Sequence, residues 1–552
     1  MKKKRYTASL LAVLLAAGLV TGCGAASSST ADSTTGAAQV STSASAAADS
    51  GSSDGKVITI GFSTAWDSMM PYNSASGSMY NALMLDKIYD RLAFAEIGGS
   101  SFKPRAAKSW EAADDNQSIV FHLDENATWS DGQKVTADDW VYTFQLITDP
   151  AFTGTSRGDA KSLAGTDDNG VRTGDSFEGV EKLDDYTIKF HLKNPSTPED
   201  WLISHNRQVY VLPQHVLKDI PVDSILTSDV WNNPVGSGPM KFVSQVAGSE
   251  MVLAPRPEYQ LGNTNASQVI LKVVDSTNAL NSLISGELDY NEISNQVSET
   301  NKAVATGAGL TVTTSDTPNF FFEMIINNSN VSDANLRKAL WYALDVDALI
   351  KTYNGGNGTS TDTYVLPDSP YYNSDVNVSY DPDKAKELMQ EAGYDGKTLT
   401  LACGSSRESL ASLMKQYWDA VGLNVQIQIV DVATMFSGLK DGTYDLGLSG
   451  HTPTYGVTWF DDATSLHVLK GEGNSSYSVT DPKLGEYYNE INSTFDTEKR
   501  TELVKGYQQY LADTAPYIPL WFSDLNYIES NVQNIDYLAS MMCNDNIYEW
   551  QK

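Results

Sequence analysis

The sequence predicts a mixed α/β protein with a β-rich portion, exported and held on a flexible tether, and three observations predict it. The segments "SIVFHLDEN" from Ser118 and "YTIKFHLKN" from Tyr186 alternate apolar and polar residues and echo one another, as paired half-buried strands do. Residues 397–450 read strand, helix, strand, helix, strand, the pattern of a doubly wound sheet. A basic, then apolar, then polar low-complexity stretch precedes both.

In chain order, Lys2, Lys3, Lys4 and Arg5 form the basic region and residues 8–20 the apolar region of a secretory signal, too short to span a bilayer comfortably. Residues 1–22 are therefore read as a signal peptide. Thr21 and Gly22 ahead of Cys23 resemble the lipobox of bacterial lipoproteins, which implies a lipid attached at Cys23 and a place on the extracytoplasmic face of the cell membrane. Residues 24–55 are almost wholly Ser, Ala, Thr and Gly, too poor in large apolar groups to offset chain entropy, so they form a disordered tether with a span of roughly 30 Å.

The body opens with a strand at residues 56–62 and a helix at 80–92. The β-rich part follows, in which His122 and His191 are sheet residues rather than ligands. Residues 270–274, 277–285 and 288–293 read as strand, helix, strand, a crossover unit. Asp381 caps a helix with Pro382 in its first turn, Ala385, Leu388, Met389 and Ala392 facing inward, and Gly393 stopping it. Within 397–450 the first helix carries Leu410, Leu413, Met414, Tyr417, Trp418 and Val421 on one face, and Gly422 is its left-handed cap. Val425, Ile427 and Ile429 alternate with glutamines as the next strand, a helix follows near 434–439, and residues 444–448 form the last strand. Ligands of doubly wound sheets sit at the carboxyl ends of strands, which makes "SGHTPTYGV", from Ser449, the candidate binding edge.

Composition narrows the function. About five hundred residues follow the tether, enough for two or three domains with substantial cores. The 69 acidic against 38 basic residues argue against nucleic acid or an anionic lipid surface as the ligand. Beyond Cys23 only Cys403 and Cys543 remain, free or joined as one bridge, which is no disulfide framework. There is no HExxH, no CxxC and no G-x-S-x-G elbow, and Gly355-Gly356-Asn357-Gly358 reads as a plain loop. No catalytic residue, metal or cofactor follows from these residues.

Five blocks in one order carry a family resemblance: "AAKSWEAADDNQSIVFHLDENATWSDGQKVTADDWVYTF" from Ala106, "GSGPMKF" from Gly236, "NLRKALWYALDVDALI" from Asn335, "YDPDKAKELMQEAGY" from Tyr380 and "TAPYIPLWF" from Thr514. They resemble the family 5 extracellular solute-binding proteins of ABC transporters, the group of oligopeptide, dipeptide and nickel binders. The resemblance implies a two-lobed, hinged fold of the type II periplasmic-binding-protein kind. The first lobe would be residues 56–316 with 102–235 as its β-rich subdomain, the second 317–515, and residues 516–552 would return to the first. Closure over a ligand would let an ABC permease and ATPase complex recognise the loaded monomer by shape.

The resemblance also implies site residues. Peptide binders of this family commonly show G-W-x-x-D-Y-x-D-P after the last doubly wound strand, its first aspartate pairing with the peptide α-amino group. Read without gaps, His451 stands at the tryptophan and Thr454 at the aspartate, followed by Tyr455; a shifted reading puts Trp459 and Asp462 there. Other lining residues implied by position are Tyr72 and Asn73 after the first strand, Phe320 at the lobe crossing and Trp521 at the return. A peptide is the expected ligand, with an oligosaccharide or a nickel complex as alternatives of the same fold. A lipid-anchored extracellular hydrolase is the alternative of another class, and it would need a convergent nucleophile or carboxylate pair that the sequence does not display.

Overall fold

The β-branched run VITIGF forms β1 (Val57–Phe62), the centre of the first sheet. In the computed structural model the described residues are 55–66, 68–73, 79–95, 102–113, 116–155, 157–174, 177–205, 209–292, 299–314, 318, 320–367, 369–451, 471, 477–523, 526–536 and 546–552. The signal peptide, Cys23 and nearly all of the tether lie outside them. Among them, no helix is long and apolar enough to cross a membrane.

After β1 the strands run β2 (Ala93–Ala95), β3 (Phe102–Pro104), β4 (Ala107–Ala112), β5 (Ser118–Leu123), β6 (Val180–Asp184), β7 (Thr187–His191), β8 (Met240–Val246), β9 (Glu250–Pro255) and β10 (Gln268–Val273). They continue with β11 (Tyr290–Asn291), β12 (Thr311–Thr314), β13 (Phe320–Ile326), β14 (Thr359–Ser360), β15 (Leu399–Cys403), β16 (Val425–Ile429), β17 (Leu446–His451), β18 (Tyr517–Ser523) and β19 (Asn526–Glu529). A seven-stranded sheet has the order β12-β19-β11-β1-β10-β9-β8, a six-stranded sheet β14-β18-β13-β17-β15-β16, and a four-stranded sheet β4-β5-β7-β6; β2 and β3 pair separately.

The two echoing segments are the central antiparallel pair of the four-stranded sheet, with Ser118 opposite His191 and His122 opposite Thr187. In the first large sheet β10 and β11 both run parallel to β1 and flank it, so the crossover helix Ala279–Ile284 carries the chain past β1. In the second, β15 runs parallel to both β16 and β17, joined by the helices Glu408–Val421 and Val432–Asp441. Leu410, Met414, Trp418 and Val421 of the first of these helices are buried, and Gly422 ends it at φ 90°, as the apolar spacing predicts.

The core follows the same logic. The run FFFEMII of β13 is apolar on both sides because both faces of its sheet are covered: Phe322, Met324 and Ile326 enter one core, Phe321 and Ile325 another. The seven- and four-stranded sheets share a third core, from Ile58 and Ile60 through Phe121, Trp129 and Trp201 to Leu253 and Trp550. Among the described residues the chain leaves one large sheet for the other between β12 and β13 and between β18 and β19, and the strand ends flanking these two connections are paired, Thr314 with Asn526 and Phe320 with Ser523. The second connection falls after Ser523, later than the boundary of 516 expected from the resemblance, because residues 517–523 pair along β13 before leaving.

The first helix is also shorter than the expected 80–92, ending at Ile88. The motif GSGP supplies the reason. Gly238 N donates to Ile88 O at 2.8 Å and Ser237 Oγ accepts from Asp90 N at 2.9 Å, so the groups that would continue the helix are already taken. The freed turn buries Asp86 against Arg91 at 2.7 Å and Asp90 against Arg105 at 2.6 Å, with both guanidinium centres about 4 Å from the Phe94 ring.

Close approach explains both glycines: a Cβ on Gly236 would stand 2.1 Å from Ile88 O, and one on Gly238 2.7 Å from Ile88 C. Gly238→Ala is expected to destabilise the protein by about 2–3 kcal/mol in urea unfolding, through forced backbone displacement. Gly248→Ser, at a left-handed turn position with open space around it, is expected to cost less than half of that.

Candidate functional site

β15, β16 and β17 end on one side of the second sheet, the side on which a doubly wound fold binds its ligands. The residue that fills this edge is Arg407. It follows β15 after a single turn and occupies the N-cap position of the helix Glu408–Val421. That position favours Ser, Thr, Asp or Asn, and the helix dipole there opposes positive charge. The arginine is half-buried.

Its guanidinium centre lies 5.8 Å from the ring centroid of Phe320 and 5.6 Å from that of Phe322. Nη1 donates a long hydrogen bond of 3.5 Å to Leu448 O on β17. Among the described residues Arg407 forms no ion pair. Burial draws its pKa below the ordinary value, opposed by Tyr353, Cys403 and the buried Glu323 carboxylate. An arginine stays protonated under such a shift, so a cation is held over two aromatic faces at the strand ends.

An aromatic stack supports it. Phe320 meets Phe322 edge-on at 4.8 Å, and Phe322 stacks on Trp521 at 4.4 Å with ring planes 23° apart. Trp521 is fully buried; its Nε1 donates to Ser523 Oγ at 3.1 Å, and Ser523 Oγ also accepts from Asn354 Nδ2 at 2.9 Å. Gly450 of β17 makes room for the stack, since a Cβ there would meet Phe320 Cε1 at 2.5 Å. Beside it on the other face, Glu323 accepts from the Tyr477 hydroxyl at 2.9 Å.

The expected site residues fall in different places. Phe320 is at the site beside Arg407, and His451 ends β17 opposite Phe321, so its backbone belongs to the same edge. Trp521 lies one layer deeper, as the base of the stack. Tyr72 is fully buried in the first core, its hydroxyl donating to Tyr210 O and its ring edge-on to Phe152; burial and the field of Asp159 hold its pKa well above the ordinary tyrosine value. Asn73 beside it is half-buried, with its carbonyl accepting from Thr155 Oγ1 at 3.3 Å. Thr454, Tyr455, Trp459 and Asp462 lie outside the described residues. Sequence reading missed Arg407, a single arginine among polar residues with no period or motif to mark it.

At the corresponding end of the first sheet, the carboxyl ends of β1 and β11 hold a buried ion pair, Lys87 to Glu292 at 3.1 Å, with Lys87 Nζ 5.9 Å from the Phe62 ring centroid. Cys403 is buried and free, and burial raises its thiol pKa. Among the described residues no group of three or more His, Cys, Asp or Glu side chains is arranged to hold a metal ion.

Comparisons with known proteins agree with this architecture. Residues 101–477 match the model of bacterial extracellular solute-binding proteins, family 5, middle region. The chain is 25% identical over 472 residues to heme-binding protein A of Haemophilus influenzae, covering 80% of this chain and 83% of that protein. It is 24% identical over 475 residues to the dipeptide-binding protein of Escherichia coli, covering 81% and 85%. The solved structure of the ABC transporter substrate-binding protein CtaP of Listeria monocytogenes shares the fold with a TM-score of 0.76 at 22% identity, over 90% of this chain and 99% of that one. With the family model matched over more than half of its length, this chain belongs to the bacterial extracellular solute-binding proteins of family 5.

Proposed function

We propose that this protein is the peptide-binding component of an ABC importer, which captures a peptide between two lobes joined by the β12–β13 and β18–β19 connections and delivers it to a membrane permease. The observation that carries the peptide reading is Arg407, a half-buried guanidinium with no carboxylate partner among the described residues, at the ends of parallel strands. A free peptide brings a terminal carboxylate, and an arginine can take it up with two parallel charge-assisted hydrogen bonds. The aromatic rings of Phe320 and Phe322 shield that pairing from water, which strengthens it. The dipeptide-binding relative supports the same ligand class. Asn73, His451 and the loop bearing Thr454, Tyr455, Trp459 and Asp462 complete the proposed lining, with Tyr72 and Trp521 supporting it from behind.

Attachment is part of the reading. Cys23 carries the lipid, and residues 24–55 hold the folded body near the permease while leaving it free to turn.

Calorimetry with a peptide library in free-acid and C-terminally amidated forms tests the ligand class. Free peptides are expected to bind at least tenfold tighter than their amides, and Arg407→Gln to abolish the difference, since removing one member of a buried charge pair typically costs roughly 2–5 kcal/mol. Equal affinity for acid and amide in the native protein would remove Arg407 from the site. For the anchor, Cys23→Ser is expected to move the protein from the membrane fraction to the soluble extracellular fraction with its thermal transition unchanged. Retention of that variant on detergent-free membranes would contradict the anchor.

A further inference from the structure

An ion pair between two helices joins the two bodies. Asp200 lies on the helix Pro198–His205, whose Trp201 and Leu202 are buried in the core shared by the seven- and four-stranded sheets. Trp201 fixes that helix by packing on Phe190 at 4.6 Å and Phe121 at 5.9 Å, and Thr197 Oγ1 accepts from Asp200 N at 3.1 Å. Arg500 lies on the helix Thr497–Thr514, whose Val504, Tyr507 and Leu511 belong to a core of the six-stranded sheet. Arg500 Nη2 meets Asp200 Oδ2 at 2.5 Å, with side-chain exposures of 7% and 18%.

The pair is built differently from a surface ion pair. Among the described residues Arg500 makes no ion pair with a carboxylate of its own body, and its Nε has no hydrogen-bond partner. Its charge is therefore answered from the other body. Two further groups face the same spot: Glu199, which also accepts from Trp110 Nε1 at 3.4 Å, and Tyr371, close enough to feel Arg500, Asp200 and Glu199. Asp200 and Glu199 together oppose one arginine and one phenol. Separating the bodies would leave these two carboxylates adjacent on one body and the arginine alone on the other.

We propose that Asp200 and Arg500 form a closure latch, an electrostatic contact between the four-stranded-sheet subdomain and the second lobe that favours the closed arrangement before any ligand arrives. A contact present only when the lobes meet shifts the equilibrium toward closure by its own interaction energy, and raises the apparent affinity for any ligand of the closed state by the same factor. The latch rests on the two-lobe reading above and is independent of what the ligand is.

The test is small-angle scattering of ligand-free full-length mature protein as native, Arg500→Gln, Asp200→Asn and the charge-swapped double variant Asp200→Arg with Arg500→Asp. A compact body of this size has a radius of gyration of about 23 Å. Each single variant is expected to shift the closed-to-open ratio about tenfold toward open, raising the radius by about 1 Å, and the swap is expected to restore most of the compaction. Thermal unfolding of each variant identifies any loss of fold; should Arg500→Gln not fold, the isosteric Asp200→Asn and the swap carry the comparison. Equal radii in all four proteins would overturn the latch, and so would open single variants whose swap stays open, since packing rather than charge would then be acting. Failure here, with free peptides still preferred over amides, leaves the binding reading intact. Charge-dependent compaction in a protein indifferent to peptides removes that reading and keeps the latch.

Discussion

Four strand ends meet between the two large sheets: Thr314 stands opposite Asn526 on one side, Phe320 opposite Ser523 on the other. Each large sheet buries its own apolar faces in its own cores, so folding stability resides within the two bodies. Everything functional follows from that separation. Parallel strands of each sheet end in an edge that holds charge, Lys87 and Glu292 at one and Arg407 at the other, and Asp200 of one body meets Arg500 of the other.

The motifs that mark the family have local physical reasons. Ser130 N donates to Gly236 O at 2.8 Å, and Gly236 N donates to Ser130 Oγ at 3.2 Å, so the WSDG and GSGP segments bind each other. Gly132 takes the positive φ of 91° that the turn after Trp129 requires. Asp139 accepts from Thr136 N at 2.9 Å and from Gln214 N at 3.0 Å, closing the start of the helix Ala137–Ile147 while holding the chain that leads into the first core. Arg256, fully buried, donates to Gly238 O and Thr128 O and thereby fastens the same two segments from the far side. These residues build the subdomain.

Much of the fold was legible because its signals are local. The Leu410 to Val421 face, the caps at Asp381 and Gly422, and the alternation of β5 and β7 each depend on residues within one element or its immediate neighbour. The first helix was read too long because what stops it, Gly238 on Ile88, comes from 150 residues away in sequence. The site was legible only as an edge. Phe320 was expected there from the family resemblance and His451 from the gapless motif after the last strand, whereas Tyr72 and Trp521, expected on the same grounds, are drawn by packing into the cores. Arg407 went unread because a single arginine among polar residues carries no period and no motif; its meaning comes from the two phenylalanines on a strand distant in sequence. The Asp200–Arg500 contact, joining residues on different bodies, has no sequence signature at all.

Arg407 also fits the charge of the whole molecule. A protein with a formal net charge of −31 presents a field that repels anions at long range, so a site for a peptide carboxylate needs a cation that is not already paired with an acid. The stack of Phe320, Phe322 and Trp521 sets aromatic rings rather than a carboxylate against Arg407, with Gly450 leaving the space for it. A crystal structure of the protein with a tightly bound free peptide is the most direct test. The account predicts the peptide's terminal carboxylate within hydrogen-bonding distance of the Arg407 guanidinium, beside the ends of β15 and β17. A peptide bound with its carboxylate elsewhere, while Arg407 keeps only Leu448 O as its partner, would contradict it.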